Sequence, residues 1–432
     1  MLKSKIMTNA ATTKTSSPSK LKISPQAWVA WGVVTFFYAF QYILRVFPSI
    51  MMDDIRQKFG VDTQQFGDFS GAYYLGYALM HIPIGLLLDH KSPRWIIALS
   101  ILLCSIGILP LIYTDSWTLA VIGRFLLGAG SSTAILGVFK IIRLNFPIHK
   151  FGTVLGFSVM LGLLGAIYGG LPVQSLVASM GWTTVLYGFA IAGVILACAV
   201  LFLIPKRKNA EETTSHGSLS HDLKIAFKTP YIMTTAFLAA FMVGPLEGFA
   251  DVWGVSYLIK AYGFSKETAS YLPSLIFFGM CFGSPVLAYL GERTKRYTFI
   301  VQLSALIMGV CFVLLLATTL PLWGIQTSFF LVGILSAYQV LVMHINSMRV
   351  DAKYSGIVTA VTNMVIMSFG YVFHHFIGRI MNSHWAGESI GNIRVYPIEA
   401  YDNGLMIIPF GLFIAFIGFY GEKIHAKLIN KK

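Results

Sequence analysis

Twelve long apolar segments dominate this sequence, and each is close to the roughly 20 residues that an α-helix needs to cross the hydrocarbon core of a bilayer. We number them TM1 to TM12 and expect them, to within a few residues, at 27–49, 66–88, 95–113, 118–142, 151–176, 182–204, 230–256, 267–290, 298–319, 323–348, 356–380 and 403–421. A membrane β-barrel would show shorter segments of alternating polarity instead. The sequence therefore predicts an all-α membrane protein with twelve transmembrane helices.

The composition excludes the soluble alternatives. Hydrophobic residues make up 56% of the 432 residues and charged residues only 12%, whereas soluble domains carry about 25% charged residues. A soluble enzyme, a nucleic-acid-binding domain and a disordered scaffold are therefore excluded. The four cysteines lie inside apolar segments, which indicates small buried side chains and neither a disulfide framework nor a metal site. They are Cys104, Cys198, Cys281 and Cys311.

The longest polar interruption, at 205–229, divides the twelve segments into six plus six. We expect a disordered cytoplasmic tail at 1–26, one six-helix bundle at 27–204 and a second at 230–421. The segment 205–229 is then a cytoplasmic linker and 422–432 a second cytoplasmic tail. Two fused six-helix repeats are a plan that some secondary transporters use.

The Lys and Arg residues concentrate on one side of the predicted membrane. With the N-terminal tail inside, the tails and loops on its side carry 24 of the 32 Lys and Arg residues, and the other side carries 6. The positive-inside rule then places both termini in the cytoplasm. This asymmetry accounts for the net charge of +14 without a nucleic-acid partner. Short loops without an Asn-x-Ser/Thr sequon favour a bacterial inner membrane.

The predicted loop between TM2 and TM3 resembles a signature of the major facilitator superfamily. That signature has a glycine, three residues, an aspartate and then basic and small residues. The loop reads Gly85-Leu-Leu-Leu-Asp89-His90-Lys91-Ser92-Pro93-Arg94. His90 replaces the usual arginine, and Ser92-Pro93 replaces Gly-Arg.

Two further patterns carry the same resemblance. The loop after TM8 holds a weaker copy, Ala288-Tyr-Leu-Gly291-Glu292-Arg293-Thr294-Lys295-Arg296, and TM4 holds Arg124-x-x-x-Gly128-x-Gly130, which is similar to the superfamily's second motif. The resemblance covers residues 27–421. It implies two six-helix bundles that rock around a central cavity lined by TM1, TM4, TM7 and TM10, and a monomeric transporter rather than an enzyme.

The loop signatures imply a gate at Gly85, Asp89, Arg94, Glu292 and Arg293. The Asp89 carboxylate can pair with basic residues and with a nearby helix N-terminus. A pair that forms in one rocking state and breaks in the other would bias alternating access. A plain basic cluster that follows the positive-inside rule explains the Lys and Arg residues but not the Gly-to-Asp spacing.

TM5 carries Gly165-Ala166-Ile-Tyr-Gly169-Gly170, which is similar to the Gly-Pro-x-x-Gly-Gly motif of the superfamily's exporters. Alanine replaces the proline of that motif. Small residues at this spacing also allow close packing of two helices. The packing interpretation is favoured, and the direction of transport stays open.

TM1 places Tyr38, Gln41, Tyr42, Arg45 and Ser49 on one helical face. Polar residues inside a membrane helix are costly and mark functional positions. Tyr42-x-x-Arg45 is similar to the arginine motif of the superfamily's organic-anion and organophosphate branches, where a guanidinium receives a carboxylate or phosphate. Tyr38, Gln41, Tyr42 and Arg45 are therefore predicted substrate-binding residues. Alternatively, Arg45 extends to the headgroups.

TM7 carries Glu247 and Asp251, four residues apart and so on one face, and Asp251 lies near the predicted depth of Arg45. Both acids are candidates for proton coupling or for binding a substrate ammonium group. They could instead form a structural salt bridge with Arg45. Arg124 in TM4 is implied to assist proton movement, or it braces TM4. The organophosphate branch would need a second arginine here, so phosphate-ester exchange is disfavoured.

Other polar residues in the apolar segments are candidates for the cavity or for hydrogen bonds between helices. Tyr338, Gln339 and Asn363 are predicted to contact substrate, and the remaining candidates are His81, His344, His374 and His375. No nucleotide-, zinc- or hydrolase-type motif occurs in the sequence, and no cofactor is expected.

The sequence thus predicts proton-coupled uptake of a small carboxylate-bearing or zwitterionic solute, such as an amino acid, a short peptide or an organic acid. The resemblance points to an anion:cation-symporter-like or a bacterial nutrient-uptake branch, the latter including phagosomal transporters. Export of a siderophore or drug, and a sensor that binds without translocating, are the alternatives. The sequence leaves the substrate and the choice of H⁺ or Na⁺ open.

Overall fold

Twelve helices in the computed structural model are long and apolar enough to cross a membrane. The structure describes residues 23–205, 219–391 and 393–429. The spans run over Pro25–Ile50, Thr63–His90, Pro93–Tyr113, Trp117–Asn145, Phe151–Met180, Trp182–Leu203, Pro230–Tyr262, Lys266–Thr294, Tyr297–Ala317, Leu322–Ser347, Ser355–Ser383 and Ile398–Gly421. Each coincides with one predicted segment, so TM1 to TM12 keep their numbers and the helical prediction is confirmed.

Several spans consist of two or three consecutive helical stretches rather than one. The divided spans are TM4 (Trp117–Ser131, Thr133–Asn145), TM5 (Phe151–Tyr168, Leu171–Met180), TM7 (Pro230–Ala240, Gly244–Trp253, Gly254–Tyr262), TM8 (Lys266–Tyr271, Ser274–Thr294), TM10 (Leu322–Ser336, Tyr338–Ser347) and TM12 (Ile398–Leu405, Ile407–Ile429). Breaks of this kind are tolerated at membrane depth because neighbouring helices satisfy the freed backbone groups.

Short elements connect some of the spans. They are the helices Met52–Phe59 and Leu219–Lys228, the 3₁₀ turns Ile148–Lys150 and Ala352–Tyr354, and an antiparallel hairpin of β1 (Ser389–Ile390) and β2 (Ile393–Arg394). The helix Leu219–Lys228 occupies much of the predicted linker, and its Ala226 packs with Ile232 and Val358. Residues 1–22 of the predicted tail at 1–26, the linker residues 206–218 and the C-terminal residues 430–432 lie outside the described part of the chain.

The spans pack in two groups that match the predicted halves. TM1 contacts TM4, TM5 and TM6, and TM4 contacts TM2 and TM3. In the second half TM8 contacts TM10, TM9 contacts TM12, and TM7 contacts TM11. Contacts between the halves come from TM2 with TM11, TM5 with TM8 and TM1 with TM7. Whatever lies between TM1 and TM7 therefore lies between the halves.

The surface of the helical bundle is apolar, as a lipid-facing surface must be. Large hydrophobic side chains point outward along it; Phe202 is 84% exposed, Ile417 is 67% exposed and Ile195 is 63% exposed. A water-soluble protein rarely shows extended apolar patches of this kind. We call the end of the bundle that carries the loops TM2–TM3, TM4–TM5, TM8–TM9 and TM10–TM11 the basic end, because most of the loop Lys and Arg residues lie there.

Candidate functional site

A buried ion cluster joins TM1 to TM7 between the two halves. Arg45 is 5% exposed, and its Nε donates a hydrogen bond to Oδ2 of Asp251 at 2.5 Å. Its Nη2 forms an ion pair with Oε2 of Glu247. Both acids are buried. The structure thus brings together Arg45 and the two carboxylates of TM7, of which the sequence placed Asp251 near the depth of Arg45.

Tyr74 on TM2 completes this cluster. Its hydroxyl lies 2.7 Å from Oε2 of Glu247 and also contacts Oδ2 of Asp251. A hydroxyl has one proton to donate, so Tyr74 can serve one of these carboxylates at a time. The Arg45 guanidinium lies within cation–π range of the rings of Tyr42 and Tyr74, at 5.3 Å and 5.2 Å from the centroids. Ionised throughout, the Arg45, Glu247 and Asp251 cluster has one positive and two negative charges.

The two acids lie on a π-helical stretch of TM7, Gly244–Trp253. The α-helix before it ends at Ala240, and Pro245, the second residue of the new stretch, has no backbone N–H to donate. A π-helix has wider turns than an α-helix, closed by i→i+5 hydrogen bonds, and occurs often at functional sites. All ten residues of this stretch are buried, so the local winding decides which side chains reach TM1.

Arg124 on TM4 braces TM1 directly beside Arg45. Its Nη1 donates to the carbonyl of Leu44 and its Nη2 to the carbonyl of Arg45, both at 2.6 Å. Pro48 lies inside TM1 and cannot donate to the carbonyl of Leu44, which would otherwise lack its helical partner. Arg124 therefore supplies the missing donor and fixes the backbone that carries Arg45. This geometry matches a bracing role, although the helix it braces is TM1 and not TM4.

A cavity of about 900 Å³ extends from the ion cluster to the basic end. Arg45 and Glu247 lie on its wall, whereas Asp251 is fully buried behind them. The exposed Gly152 and Gly356, which follow the TM4–TM5 and TM10–TM11 loops, lie at its mouth. A solute could therefore reach the guanidinium from the basic end.

Most of the residues predicted to bind substrate line this cavity. They are Tyr38, Gln41, Tyr42, Arg45, Gln339 and Asn363. Tyr338 does not line it in this conformation, and its contact with substrate stays a prediction. Its side chain is fully buried and its hydroxyl donates to the carbonyl of Ala239 at 2.8 Å. TM10 is interrupted at Ala337, so Tyr338 starts a new helical stretch that turns it towards TM7.

Sequence reasoning singled out His81 on TM2 but missed the row of tyrosines that precedes it. Tyr73, Tyr74, Tyr77 and His81 follow each other at helical spacing, and the Tyr77 ring stacks on both Tyr73 and His81. Tyr77 and His81 line the cavity, while Tyr74 reaches the acids of TM7. Their spacing of three to four residues was the available signal. It was obscured because tyrosine also suits an ordinary helix interface.

The predicted gate residues lie at the basic end without spanning the two halves. Asp89 pairs with Lys140 of TM4 at 2.9 Å, within the first half. Arg94 lies over the ring of its neighbour Trp95. In the second half Glu292 is exposed and Arg293 donates to the Tyr289 hydroxyl at 3.4 Å. Gly85 is a half-buried residue one turn before Asp89. The expected Asp89 ion pair exists, and a lysine from TM4 supplies the cation.

The glycines of TM5 provide close helix contacts. A Cβ at Gly165 would overlap the carbonyl oxygen of Ala39 on TM1, and one at Gly169 would overlap the Val46 side chain. A Cβ at Gly170 would crowd Ser274 and Ser270 of TM8. TM5 therefore packs against TM1 and TM8 through its glycines, as the packing interpretation expects.

The end opposite the basic end is closed by TM2 and TM11. A Cβ at Gly67 would overlap the carbonyl oxygen of His374, and Oγ1 of Thr63 donates to the carbonyl of Gly378 at 3.2 Å. Nδ1 of His375 lies 2.6 Å from Oδ1 of Asp68. His375 was a predicted cavity candidate, but it lies in this closed region. Asp68 was not singled out from the sequence, because a single acid near a helix start is common.

His374 lies behind the ion cluster and not on the cavity wall. Its Nδ1 accepts a hydrogen bond from Nε1 of Trp253 at 3.1 Å, and its ring lies 5.5 Å from that of Tyr74. His344, another candidate, lies against the ring of Tyr297 near the basic end. His81 is the histidine among these candidates that lines the cavity, next to Asn363.

Known proteins with similar folds are transporters. The chain superposes on a bacterial homolog of the human lysosomal transporter Spinster, in an inward-facing and unoccupied conformation, with a TM-score of 0.74 and 16% identity over 92% of this chain and 97% of that one. It also superposes on the D-xylose-proton symporter with a TM-score of 0.67 and 14% identity, covering 89% and 96% of the two chains. At these identities the likeness shows the fold.

Sequence relatives are transporters by name as well. A probable galactarate/D-glucarate transporter of Bacillus subtilis is 25% identical over 63% of this chain and 67% of its own length. A probable sulfoacetate transporter of Cupriavidus necator is 24% identical, covering 62% and 65%. A probable L-galactonate transporter of Escherichia coli is 22% identical, covering 60% of each. The chain thus spans about two thirds or less of these relatives.

The family assignment rests on a match that covers most of the chain. The model of the Major Facilitator Superfamily matches residues 31–373, from the start of TM1 into TM11. This stretch includes the ion cluster, the cavity and the motifs of TM2, TM4 and TM8. The twelve spans, the cavity between two groups of helices and this match agree: the chain belongs to the Major Facilitator Superfamily of membrane transporters.

Proposed function

We propose that this transporter takes up a small carboxylate-bearing solute together with protons. The observation that carries the proposal is the position of Arg45. Its guanidinium lies on the wall of an accessible cavity, and in this conformation two carboxylates of the other half occupy it. A guanidinium receives a carboxylate through paired hydrogen bonds, so a substrate carboxylate competes directly with Glu247 and Asp251.

The charge balance of the cluster supports proton coupling. With Arg45, Glu247 and Asp251 ionised, the cluster carries one excess negative charge, and an entering carboxylate would add a second. Buried like charges without compensation are strongly unfavourable. Protonation of Glu247, which lines the cavity, would release Arg45 for the substrate and remove one negative charge. A zwitterionic substrate could instead offer its own ammonium group to the displaced carboxylate.

The names of the relatives support the carboxylate part of the proposal. They are called transporters of galactarate/D-glucarate, sulfoacetate and L-galactonate, and each of these compounds contains a carboxylate group. The six cavity residues Tyr38, Gln41, Tyr42, Arg45, Gln339 and Asn363 form the proposed substrate site. Glu247 and Asp251 form the proposed proton site, and Arg124 positions Arg45.

We further propose that the basic end faces the cytoplasm of a bacterial cell, in its inner membrane. The positive-inside rule supports this orientation. The cavity is then open to the cytoplasm and closed to the outside, and the protein works as a monomer of two six-helix bundles, 27–204 and 230–421. The Asp89 and Lys140 pair, with Gly85, Arg94, Glu292 and Arg293 around the mouth, belongs to the gate that closes when the bundles rock.

Uptake into proteoliposomes tests the proposal. Radiolabelled L-galactonate, sulfoacetate and L-leucine are supplied outside, with an inward proton gradient, a sodium gradient or neither, and an internal pH dye records proton entry. We expect at least one of these solutes to accumulate with the proton gradient and acidify the lumen. Accumulation driven by sodium alone would overturn proton coupling.

Glu247→Gln is the diagnostic variant for the proton site. It keeps the shape of the side chain and leaves Arg45 paired with Asp251, so the protein should fold. We expect it to lose gradient-driven accumulation while it still exchanges labelled for unlabelled solute. Glu388→Gln, at an exposed residue between TM11 and TM12, is the matched control and should keep both activities. Unchanged proton-driven uptake by Glu247→Gln would contradict the assignment.

The same assay separates the alternatives. An exporter would accumulate solute only when the proton gradient and the protein orientation are reversed. A sensor would bind a carboxylate in a titration but show no flux in either orientation.

A further inference from the structure

We infer that the preferred substrates have one carboxylate head and an apolar body, and that polyhydroxylated acids are poor substrates. This inference rests on the proposed function, because it assumes that Arg45 receives a carboxylate. It then asks what the rest of the cavity can hold.

The head of the substrate has one place to bind. Among the described residues that line the cavity, Arg45 is the one with a permanent positive charge. A second carboxylate, as in galactarate, would find no cation on the wall. A single carboxylate next to Arg45 places the remaining atoms of the solute towards the basic end, because Asp251 and Tyr74 fill the space behind the guanidinium.

The polar groups near Arg45 are mostly engaged with each other. Oε1 of Gln41 accepts from the Tyr73 hydroxyl at 2.7 Å, and its Nε2 donates to the carbonyl of Tyr38 at 3.2 Å. The ring of Tyr38 lies 5.4 Å from that of Tyr42. The Gln41 amide is thus engaged at both ends and offers little to additional hydroxyl groups of a substrate.

Two lining residues offer the cavity a free polar atom. Nδ1 of His81 on TM2 is buried and has no hydrogen-bond partner in the described structure. The same holds for Nε2 of Gln339, which lies on TM10 across the cavity from TM1 and is 8% exposed. Two such atoms can satisfy few groups of the substrate, whereas a sugar acid carries a hydroxyl group on nearly every carbon.

Most of the rest of the wall is apolar, although Ser284, Thr359 and Asn363 add polar groups to it. Leu136 and Phe139 of TM4, Met160 of TM5, Met280 of TM8 and Met343 of TM10 form much of the apolar part. Polyhydroxylated acids would lose more hydrogen bonds to water here than they gain from the wall, which is unfavourable. Methionine side chains adapt to differently shaped apolar groups. The wall therefore fits a branched aliphatic or aromatic body.

Binding of three matched ligands to the purified protein in nanodiscs tests the inference. Isocaproate has a carboxylate and a branched apolar body, L-leucine adds an ammonium group to the same body, and L-galactonate has the same number of carbons with hydroxyl groups. Binding is measured by calorimetry, because small apolar acids cross bilayers without a carrier. We expect isocaproate or L-leucine to bind at least about tenfold more tightly than L-galactonate, the order of discrimination that a well-fitted pocket gives. Comparable or tighter binding of L-galactonate would overturn the inference.

Met280→Gln places an amide of similar size on the apolar wall. We expect it to weaken the binding of the apolar-bodied ligand by on the order of tenfold and to leave that of L-galactonate unchanged or stronger. The control is Met348→Gln, an exposed residue at the end of TM10, which should bind as the unaltered protein does. Equal affinities in Met280→Gln and the control would contradict the assignment of this wall.

The ligand set also separates this inference from the function on which it rests. If no carboxylate binds, or if Arg45→Lys binds all three ligands as the unaltered protein does, the proposed function fails. If L-galactonate binds best and the Arg45→Lys substitution abolishes that binding, the carboxylate site stands and the apolar-body inference fails.

Discussion

Arg45 has a structural role in addition to its proposed role in substrate binding. Its two carboxylate partners are both almost completely buried, and each depends on the guanidinium for compensation. Removing one partner of a buried ionic cluster usually destabilises a protein by several kcal/mol, because the remaining charge has no water to stabilise it. The residue that we propose to bind substrate therefore also holds the halves together in this conformation.

Arg45→Ala should accordingly lower the free energy of unfolding by roughly 3–5 kcal/mol. Combining it with Glu247→Gln and Asp251→Asn removes the uncompensated charges, and most of the loss should be recovered. Denaturant unfolding in detergent measures both variants. A triple variant as unstable as Arg45→Ala would show that the loss comes from packing and not from charge.

Arg124 allows a test between bracing and proton transfer. Arg124→Lys keeps a positive charge but cannot reach the carbonyls of Leu44 and Arg45 together, because a lysine has no fork. We expect a loss of about 2 kcal/mol in the free energy of unfolding and weaker substrate binding. The number of protons taken up per substrate, measured with the internal dye, should not change. A change in the number of protons per substrate would instead support the role in proton movement that the superfamily resemblance implies for Arg124.

The sequence predicted single functional residues where a charged side chain lies inside an apolar membrane helix. Arg45, Glu247 and Asp251 stood out because charges in apolar helices are rare, and the similar depth of Arg45 and Asp251 suggested a salt bridge between TM1 and TM7. Tyr74 and Tyr338 were not predictable in the same way. Tyrosine is compatible with both cavity and interface, and the orientation of Tyr338 depends on the interruption of TM10 at Ala337.

Among whole helices, TM2 and TM11 form the closed end of the cavity. Glycine contacts bring their backbones together, and the Asp68 and His375 pair adds a polar contact between the halves at 2.6 Å. A side chain at these glycines would overlap the facing backbone, so the glycine contacts set the position of the two helices. The polar pair is half-exposed and contributes a smaller amount.

Asp68→Asn should therefore shift the equilibrium towards a conformation open at this end. A loss of about 1 kcal/mol corresponds to a change of roughly fivefold in the population ratio. Spin labels at the exposed positions Gln65 and Ser383 measure the distance between TM2 and TM11. The control, Asp115→Asn, changes an exposed acid in the TM3–TM4 loop. An unchanged distance distribution in Asp68→Asn would show that the pair does not hold this end closed.

The spans themselves were predictable, because bilayer thickness and hydropathy fix their length and number. Their internal breaks were not. TM8 contains Pro273 between its two stretches, but TM4 and TM10 are interrupted without a proline at the break. Such irregularities depend on which neighbouring helix satisfies the backbone, and hydropathy carries no information on that point.

In the described conformation of the whole molecule, the cavity is accessible from one end of the helical bundle. The cavity reaches the basic end through its mouth at Gly152 and Gly356, while TM2 with TM11 and TM5 with TM8 meet at the other end. Transport requires a second conformation in which the accessible side is exchanged.

A native cysteine reports which side is accessible. Cys281 lines the cavity, and replacing Cys104, Cys198 and Cys311 with alanine leaves it as the single thiol. We expect a membrane-impermeant maleimide to label it in inverted membrane vesicles and not in intact spheroplasts, with protection by bound substrate. Cys281→Ala in the same background is the blank. Labelling of Cys281 in spheroplasts but not in inverted vesicles would contradict the proposed orientation or the described conformation.

The π-helical stretch Gly244–Trp253 has a consequence for how the acids could leave Arg45. Its turns are wider than α-helical turns and therefore hold surplus residues inside TM7. Expelling one of them would rotate the following side chains by about 100°, the angle between successive residues of an α-helix. Glu247 and Asp251 could then part from the guanidinium by a local twist, while the ends of TM7 keep their depth. Ligand exchange would in that case precede, and not require, the large swing of one half against the other.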